Sequence, residues 1–425
     1  MSRSLSGCDI PCVHGKTCCS IPLIRRGYKE QLLYKFNKVL KSFLDEGFAE
    51  SEIRPVLRAT RASPLTLGYR NKAKWILTPT KDRNGGGIKM GMYLRGTHDV
   101  ADISECAIHA PNINEISRAI KAELIRHRVQ VGSDDLSKPS LRYMIVRYSF
   151  REKKLITVFV TTAARVPGLD KVFHFIETRL KEKVVAIVQN INADETDVLL
   201  GEANRFHSKT AELTETMGLL RVPVGPLSFL QVNTSQAAYL YQRVKKLIGK
   251  GPFQSGLDLY SGVGIMAMHL APFTKRILAV EEMGSAALES ITAVRRNRVH
   301  NVLQLCCDAV EGITTFANEW GFPDWVVLNP PRKGCDVRVL DTLLTRMPRK
   351  LIYVSCNPQS LARDLRHLKK EKPELIFRTI EPVDMFPQTE HVECIVLLEN
   401  PNFKRTSKKV SASLPQTKAK SGSLH

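Results

Sequence analysis

The sequence predicts an α/β protein whose C-terminal half is a mostly parallel β-sheet covered by helices on both faces. Short apolar segments alternate with helical segments after residue 225, as is typical of a buried parallel sheet. A glycine-rich turn follows the first of these segments. Polar residues follow the fourth and fifth, at the edge where such sheets bind ligands. The apolar segments are SGLDLY, RILAVE, VLQLCC, WVVLNPP, LIYVSC and VECIVLLE.

The N-terminal half predicts a different organisation. Residues 1–25 are irregular and rich in cysteine. An amphipathic helix follows, because YKEQLLYKFNKVLKSFLDEG places apolar side chains on one face and ends at Gly47. The rest of the predicted central domain, residues 26–225, mixes strands and helices. It contains a predicted hairpin (LRYMIVRYSF and KLITVFVTT), a helix (LDKVFHFIETRLKEK) and a strand (VVAIVQNIN).

The predicted C-terminal domain covers residues 226–400 and opens with the helix AAYLYQRVKKLIGKG, which ends at Gly249. The final segment, residues 401–425, is polar and basic, and we expect it to be disordered. No window approaches eighteen consecutive apolar residues, so no membrane span is expected. The N-terminus lacks the apolar core of a secretory signal, which favours a reducing, cytoplasmic location.

The composition favours a polyanionic partner. The chain has 63 lysine and arginine residues against 42 acidic residues, a formal charge of +21. Such an excess favours nucleic acid, and a solvated basic face is the alternative. The 10 cysteines include Cys8, Cys12, Cys18 and Cys19, which crowd into one short stretch. In a reducing compartment, this usage favours ligands or catalytic groups over disulfides.

The turn after the first C-terminal strand has a nucleotide-binding pattern. The segment DLYSGVGIMA contains G-x-G-x-x-A, and Glu281 ends the next strand, where an acid can hold ribose hydroxyls. The pattern suits a dinucleotide or S-adenosylmethionine, and a plain strand-to-helix turn is the alternative. Asn329-Pro-Pro-Arg332 ends the fourth strand and favours a methyltransferase over a dehydrogenase. Methyltransferases that act on amino groups carry an aromatic residue at the place of Arg332, so an exocyclic nitrogen target is not expected.

Cys356 follows the fifth strand, on the same predicted edge as Asn329. It is either a small core residue or a nucleophile. A thiolate that adds to carbon 6 of uracil turns carbon 5 into a nucleophile for a sulfonium methyl, and a general base must then remove the carbon 5 proton. Glu393, after His391 in the segment HVE, offers that base, and a polar strand start is the alternative.

These motifs together resemble the RNA uracil-5-methyltransferase family, which is class I and S-adenosylmethionine-dependent. The motifs NPPRKG, YVSCNPQ and MFPQTEHVE, with FLQVN at residues 229–233, carry the resemblance, which covers roughly residues 8 to 400. Within the family, the chain is most similar to the short 23S ribosomal RNA enzymes that lack an N-terminal RNA-binding barrel domain. The resemblance implies a Rossmann-like methyltransferase domain at the C-terminus.

The resemblance also implies roles for individual residues. Cys356 would be the nucleophile and Glu393 the general base. Asp308 is a candidate neighbour of the cofactor adenine. The residues expected to contact S-adenosylmethionine are Gln231, Tyr260, Glu281 and Asn329.

The resemblance further implies a four-iron iron–sulfur cluster, since some family members hold one with three early cysteines and a later fourth. Cys12, Cys18 and Cys106 match this arrangement. The place of the third early cysteine holds Ile21, so Cys19, or Cys8 as its substitute, would complete the set. Zinc and the absence of any metal are the alternatives.

The stretch GYRNKAKW is also family-like. Arg70, Lys72 and Lys74 could contact phosphates while Tyr69 and Trp75 stack on unpaired bases, and an amphipathic strand is the alternative. We therefore expect a monomer whose central domain binds RNA and which methylates carbon 5 of one flipped uridine in 23S ribosomal RNA. The alternatives are the same reaction on transfer RNA and a non-catalytic RNA-binding or ribosome-assembly protein.

Overall fold

The structure, a computed structural model, describes residues 21–80, 87–94, 97–103, 105–132, 137–194, 199–208 and 212–404. The chain divides into two compact units that are interleaved along the sequence. The first unit comprises the described parts of Met1–Lys35, Arg61–Tyr239 and Asp384–His391. The second comprises those of Phe36–Thr60, Leu240–Val383 and Val392–His425. Residues 1–20 of the predicted cysteine-rich segment and residues 405–425 of the predicted tail lie outside the described residues.

The elements of the chain up to the middle of the sequence are as follows: α1 (Tyr28–Asp45), α2 (Glu50–Ile53), β1 (Lys72–Pro79), β2 (Ile88–Tyr93), β3 (Val100–Asp102), α3 (Pro111–Arg126), β4 (Leu141–Tyr148), β5 (Leu155–Thr161), α4 (Leu169–Arg179), β6 (Val184–Ile191), β7 (Ala203–Phe206), β8 (Leu213–Met217), β9 (Leu220–Val224) and α5 (Thr234–Ile248). The hairpin, the helix and the strand that the sequence predicts between residues 141 and 192 correspond to β4–β5, α4 and β6.

The remaining elements alternate between strand and helix until the last two strands: β10 (Phe253–Leu259), α6 (Ile265–Leu270) with a 3₁₀ turn at Ala271–Phe273, β11 (Thr274–Glu281), α7 (Gly284–Arg296), β12 (Val302–Cys306), α8 (Ala309–Trp320), β13 (Trp325–Leu328), α9 (Val337–Thr345), β14 (Lys350–Ser355), α10 (Pro358–Glu371), β15 (Ile376–Val383) and β16 (Glu393–Glu399).

In the first unit, the described strands form a mixed sheet in the order β3-β2-β1-β4-β5-β6-β7. All neighbours pair antiparallel except β5 and β6, which are parallel and are joined by the crossover helix α4. Apolar residues of α3 and α4 pack on one face of this sheet, because both helices are amphipathic. A separate hairpin of β8 and β9 contributes Leu213 to a small cluster with β4, β5 and β6.

In the second unit, the described strands form a Rossmann-like sheet in the order β12-β11-β10-β13-β14-β16-β15. The five strands from β12 to β14 are parallel, whereas β16 runs antiparallel to β14 and to β15. This confirms the α/β class and the mostly parallel sheet predicted from the sequence. Strand β15 was not predicted, because Arg378, Thr379 and Glu381 interrupt its apolar pattern.

Helices pack against this second sheet. The loops that follow its parallel strands lie at the carboxyl edge of the sheet. Leu257, Leu259, Leu278 and Val280 of the central strands pack with apolar residues of α8, α9 and α10 in one core. Gly312 of α8 lies so close to β11 that an added Cβ would approach Val280 to 2.7 Å. Within the described part of the chain, no helix is both long and apolar enough to span a membrane.

Candidate active site

The turn between β10 and α6 has an unusual backbone. Tyr260, Gly262 and Gly264 all have positive φ, at 60°, 55° and 72°. Glycine adopts this conformation freely, whereas a tyrosine in it is strained by about 1–3 kcal/mol. An added Cβ at Gly264 would lie 2.3 Å from Oγ of Ser290, so the close packing also requires glycine there. The turn therefore follows a tight path at the edge where ligands of such sheets bind.

Two carboxyl groups support this turn. Glu281, at the end of β11, accepts hydrogen bonds from the backbone N–H of Gly262 at 2.8 Å and of Met283 at 3.0 Å. Asp258 is buried near the end of β10 and accepts from the N–H of Ala267 at 3.0 Å. Burial raises the pKa of Asp258 to about 7. The sequence drew attention to Glu281, but the buried acid at position 258 was missed.

Asn329 follows β13 at the same edge. Its backbone N–H donates to the carbonyl oxygen of Leu259 at 3.4 Å, and Leu259 pairs with Leu328 in the sheet. Asn329 therefore lies beside Tyr260 on the adjacent strand. Asp308, the candidate adenine neighbour, caps α8 and accepts from the N–H of Glu311 at 2.9 Å.

Gln231 belongs to the first unit. Its backbone carbonyl accepts a hydrogen bond from Nδ2 of Asn71 at 3.0 Å, and its side chain is half-buried. Its expected contact with the cofactor stays a prediction.

The loop that carries Cys356 is held by its neighbours. Asn357 caps α10, and its Nδ2 donates to the backbone carbonyl of Arg332 at 3.0 Å. Oγ of Ser360 donates to the same carbonyl at 3.1 Å. Ser355 Oγ in turn accepts from the N–H of Asn357 at 3.1 Å. The cysteine loop and the Asn-Pro-Pro-Arg loop are therefore fixed to each other.

The strand register brings Cys356 and Glu393 together. Strands β14 and β16 pair antiparallel from Lys350 with Glu399 to Ser355 with Cys394. Cys356 and Glu393 are the residues next to this last pair, and the charge of Glu393 acts on the Cys356 thiol. Directly opposed residues of antiparallel strands have Cβ atoms about 4.5–5.5 Å apart. The thiol and the carboxyl group that the sequence predicts as nucleophile and base are therefore neighbours.

The electrostatics of this pair involve a third residue. Burial raises the pKa of Glu393 to about 7, and the guanidinium of Arg332 opposes this rise. Burial raises the pKa of the Cys356 thiol, and the charge of Glu393 raises it further. The positive charge of Arg332 lowers this pKa. Sequence reasoning used Arg332 only to exclude an amino target, although its place in the Asn-Pro-Pro-Arg motif could have indicated this effect.

The stretch GYRNKAKW does not present its aromatic rings to RNA as the sequence predicted. Tyr69 and Trp75 are buried, with their hydroxyl and indole N–H donating to Pro387 O at 3.0 Å and to Ser117 Oγ at 2.8 Å. Stacking of these rings on RNA bases is therefore wrong, because Tyr69, before β1, and Trp75, within β1, both pack in the core of the first unit. Lys72 and Lys74 alternate with the buried residues, as an amphipathic strand requires. Burial and neighbouring cations lower the pKa of Lys72 to about 8.

Most of the predicted metal ligands fall on residues that the structure does not describe. Cys8, Cys12, Cys18 and Cys19 lie outside the described residues. Cys106 is buried, and Asn114 holds its backbone through hydrogen bonds of 3.2 Å and 3.0 Å. Among the residues described, no group of three or more histidine, cysteine, aspartate or glutamate side chains could hold a metal ion.

The second sheet and its glycine-rich edge define the class of domain, a Rossmann-like fold of the kind that binds nucleotide cofactors. Residues 225–401 match the sequence model of the tRNA (uracil-5-)-methyltransferase family. An uncharacterized RNA methyltransferase of Geobacter sulfurreducens is 34% identical over 423 residues, which cover 97% of this chain and 82% of that protein. One of Bacillus cereus is 30% identical over 392 residues, with 92% and 83% covered. The chain belongs to the RNA (uracil-5-)-methyltransferase family.

A solved structure agrees with this assignment. The tRNA (uracil-54, C5)-methyltransferase of Pyrococcus abyssi, in complex with S-adenosyl-L-homocysteine, superposes with a TM-score of 0.71 at 25% sequence identity. The match covers 90% of this chain and 86% of that one. The resemblance seen in the sequence is thereby confirmed, and the protein is an RNA methyltransferase.

Proposed function

We propose that the protein methylates carbon 5 of a uridine in RNA through a covalent bond between Cys356 and carbon 6 of the base. The observation that carries this proposal is the juxtaposition of Cys356, Glu393 and Arg332. A thiol, a buried carboxyl group and a guanidinium are the groups that nucleophilic addition followed by proton removal needs.

The steps follow from these groups. The Cys356 thiolate adds to carbon 6, and the electrons of the carbon 5–carbon 6 double bond move onto carbon 5 and the adjacent carbonyl. Carbon 5 then attacks the methyl carbon of S-adenosylmethionine, whose bond to sulfur breaks as S-adenosylhomocysteine leaves. Glu393 takes the carbon 5 proton, the double bond forms again, and the thiolate leaves carbon 6. The uridine must leave its stack for these contacts to form.

The pKa values of the two groups fit these roles. A general base works best when its pKa lies near the working pH, and that of Glu393 is about 7. The thiol needs help to ionise, because burial and Glu393 raise its pKa. Arg332 gives that help, since its charge stabilises the thiolate.

For the cofactor, we propose contacts from Gln231, Tyr260, Glu281 and Asn329. The carboxylate of Glu281 is oriented by the N–H groups of Gly262 and Met283, which leaves further lone pairs to accept from ribose hydroxyls. The strained Tyr260 and the adjacent Asn329 border the same edge.

We propose 23S ribosomal RNA as the substrate, on the motifs that resemble the short ribosomal RNA enzymes. Transfer RNA is the second candidate, favoured by the name of the matching family and by the substrate named for the Pyrococcus abyssi enzyme. The monomeric state and the cytoplasmic location also stay predictions.

The four-iron cluster on Cys12, Cys18, Cys19 or Cys8, and Cys106 is a further part of the proposal. Cys106 fits a ligand position in one respect, because Asn114 holds its backbone rigidly. A cluster there would brace the N-terminal segment, and no step of the methylation needs it. Iron and sulfide analysis of anaerobically purified protein, before and after Cys106→Ser, tests it.

The reaction is tested with radiolabelled S-adenosylmethionine and total RNA from cells that lack the gene. Cys356→Ala should abolish label transfer. Cys306→Ala, which removes an exposed thiol from β12 at the far edge of the same sheet, should not. Transfer that survives Cys356→Ala would contradict the nucleophile assignment. Separating the labelled RNA by size and mapping its 5-methyluridine then distinguishes ribosomal from transfer RNA.

A further inference from the structure

The connection between β15 and β16, residues 384–392, is held by buried polar side chains of the first unit. Asp384 begins it. Nζ of Lys35 donates to Asp384 Oδ1 at 2.5 Å, and both side chains are fully buried. The hydroxyl of Tyr28 donates to Oδ2 of the same carboxylate at 2.9 Å. Lys35 also donates to the carbonyl oxygen of Phe386 at 3.0 Å.

Gln388 forms a second anchor. Its φ of 70° lies in the left-handed region, so its backbone conformation needs support from outside the loop. Gln31 gives that support with both ends of its amide: Oε1 accepts from the N–H of Gln388 at 3.0 Å, and Nε2 donates to Gln388 Oε1 at 2.8 Å. The N–H of Leu23 donates to the carbonyl of Gln388 at 3.1 Å.

The residues between these anchors are held as well. Nδ2 of Asn233 donates to the carbonyl oxygen of Met385 at 3.2 Å. The hydroxyl of Tyr69 donates to the carbonyl oxygen of Pro387 at 3.0 Å. Each residue from 384 to 388 thus accepts or donates a hydrogen bond with a side chain distant in sequence. We call these side chains the loop clamp: Tyr28, Gln31, Lys35, Tyr69 and Asn233.

Fold stability gives a weak reason for such a clamp. Removing Lys35 and Asp384 from water costs free energy that their attraction offsets only in part, and apolar residues of similar volume are often as stable. The clamped residues end at Gln388, and Thr389 continues the hydrogen bonding toward Glu393, the first residue of β16. Its hydroxyl donates to the carbonyl oxygen of Phe386 at 2.7 Å and accepts from the N–H of His391 at 3.2 Å. A displacement of the clamped residues is therefore passed through these hydrogen bonds to the residue two positions before Glu393. A catalytic group misplaced by 1 Å can lose about 100-fold in rate.

We infer that the loop clamp positions Glu393 for removal of the carbon 5 proton, with Lys35 as its central positioning residue. This inference rests on the proposed function, in which Glu393 is the base. Methyl transfer comes before proton removal. A loosened clamp therefore leaves Cys356 addition and methyl transfer intact, and the bond between Cys356 and carbon 6 persists because the proton stays on carbon 5.

The test measures the covalent adduct of protein and RNA directly. Full-length protein, unlabelled S-adenosylmethionine and end-labelled total RNA from gene-deleted cells are mixed, and the RNA that stays bound in SDS is followed with time. Methyl incorporation in the first turnover is measured in parallel with labelled cofactor. The variants are Lys35→Met and Tyr28→Phe, with Glu393→Gln as the reference for a lost base. Lys41→Met breaks an exposed ion pair to Asp45 on the same helix and is the matched control.

We expect Lys35→Met to slow release of the adduct by about 10-fold or more while first-turnover methylation stays within about 3-fold. Tyr28→Phe keeps the buried ion pair but loses two hydrogen bonds, the one that its hydroxyl donates to Asp384 and the one that it accepts from the N–H of Ser63, so its release should slow by about 5-fold. If Lys35→Met does not fold, the release rate of Tyr28→Phe tests the inference by itself. Lys41→Met should release RNA at the wild-type rate.

Release at the wild-type rate in the clamp variants, whatever their Tm, would overturn the inference and leave the clamp a structural feature. Equal decreases in the rate of first-turnover methylation and in the rate of adduct release would also overturn the inference. The clamp would then support the fold as a whole and not the proton-removal step. Absence of adduct in Glu393→Gln is a different result, because it contradicts the base assignment of the proposed function.

Discussion

Replacing Glu393 with glutamine should remove turnover and yet stabilise the protein at alkaline pH. The carboxyl group is buried, and burial raises its pKa from an ordinary 4.5 to about 7. Glutamine has the same shape and resembles the protonated acid, but it cannot accept the carbon 5 proton. The substitution therefore removes the base and also removes a buried charge.

The sign and size of the stability change follow from the pKa. Below pH 4.5 the group is protonated in both the folded and the unfolded protein, and its contribution to stability is complete. As the pH rises from 4.5 through 7, the unfolded protein loses this proton first, so the wild-type protein loses stability. A pKa raised from 4.5 to about 7 corresponds to about 3 kcal/mol at 1.36 kcal/mol per pKa unit. Glu393→Gln should avoid most of this loss at pH 8.

The assay compares Tm of the wild type and the variant at pH 5 and at pH 8. Taking the difference between the two pH values cancels any pH-independent effect of the substitution, and Asp258, which also has a raised pKa, contributes equally to both proteins. The variant should lose less Tm between pH 5 and pH 8 than the wild type. Glu371→Gln, at an exposed position, is the control and should follow the wild type. Equal pH dependence of Tm in Glu393→Gln and the wild type would refute the reasoning.

Three further substitutions test the site. Arg332→Met should raise the pKa of Cys356, so first-turnover methylation at pH 7 falls about 10-fold for each pKa unit and recovers toward pH 9 in single-turnover assays. Glu281→Gln should weaken S-adenosylmethionine binding by about 10-fold in calorimetry, because a charged acceptor is lost. Gly264→Ala should lower Tm by an amount equivalent to about 1–3 kcal/mol, because alanine is strained at a φ of 72°.

Each of these expectations has a contrary outcome. An unchanged pH–rate profile in Arg332→Met would show that the guanidinium does not set the thiol pKa. An unchanged dissociation constant in Glu281→Gln would remove that carboxylate from the cofactor site. A wild-type Tm in Gly264→Ala would mean that the turn adapts without strain.

Features with a local signal could be predicted from the sequence. The parallel strands are continuous apolar runs, and the positions of Glu281, Asn329 and Cys356 follow from the rule that such strands end at one edge. Strand β15 escaped because its polar residues break the apolar run. The burial of Tyr69 and Trp75 fits the amphipathic alternative, but the pattern alone does not say whether an aromatic face packs on the protein's own core or on RNA bases.

Features made by distant residues had no local signal. The clamp joins residues near position 30 to a loop near position 386, and nothing in either stretch reports on the other. The effect of Arg332 on Cys356 likewise depends on two loops that Asn357 and Ser360 tie together. Both required the folded structure.

The antiparallel pairing of β14 with β16 makes the length of the chain between them a constraint on the chemistry. Successive side chains of a strand point to opposite faces. An insertion or deletion of one residue that shifted β16 along β14 would therefore set Val392 or Cys394 opposite Cys356 in place of Glu393. Helix α10 and its flanking loops can change length only where the register is preserved. A length change that the loops absorb keeps the two groups opposed, whereas one that shifts the register separates them.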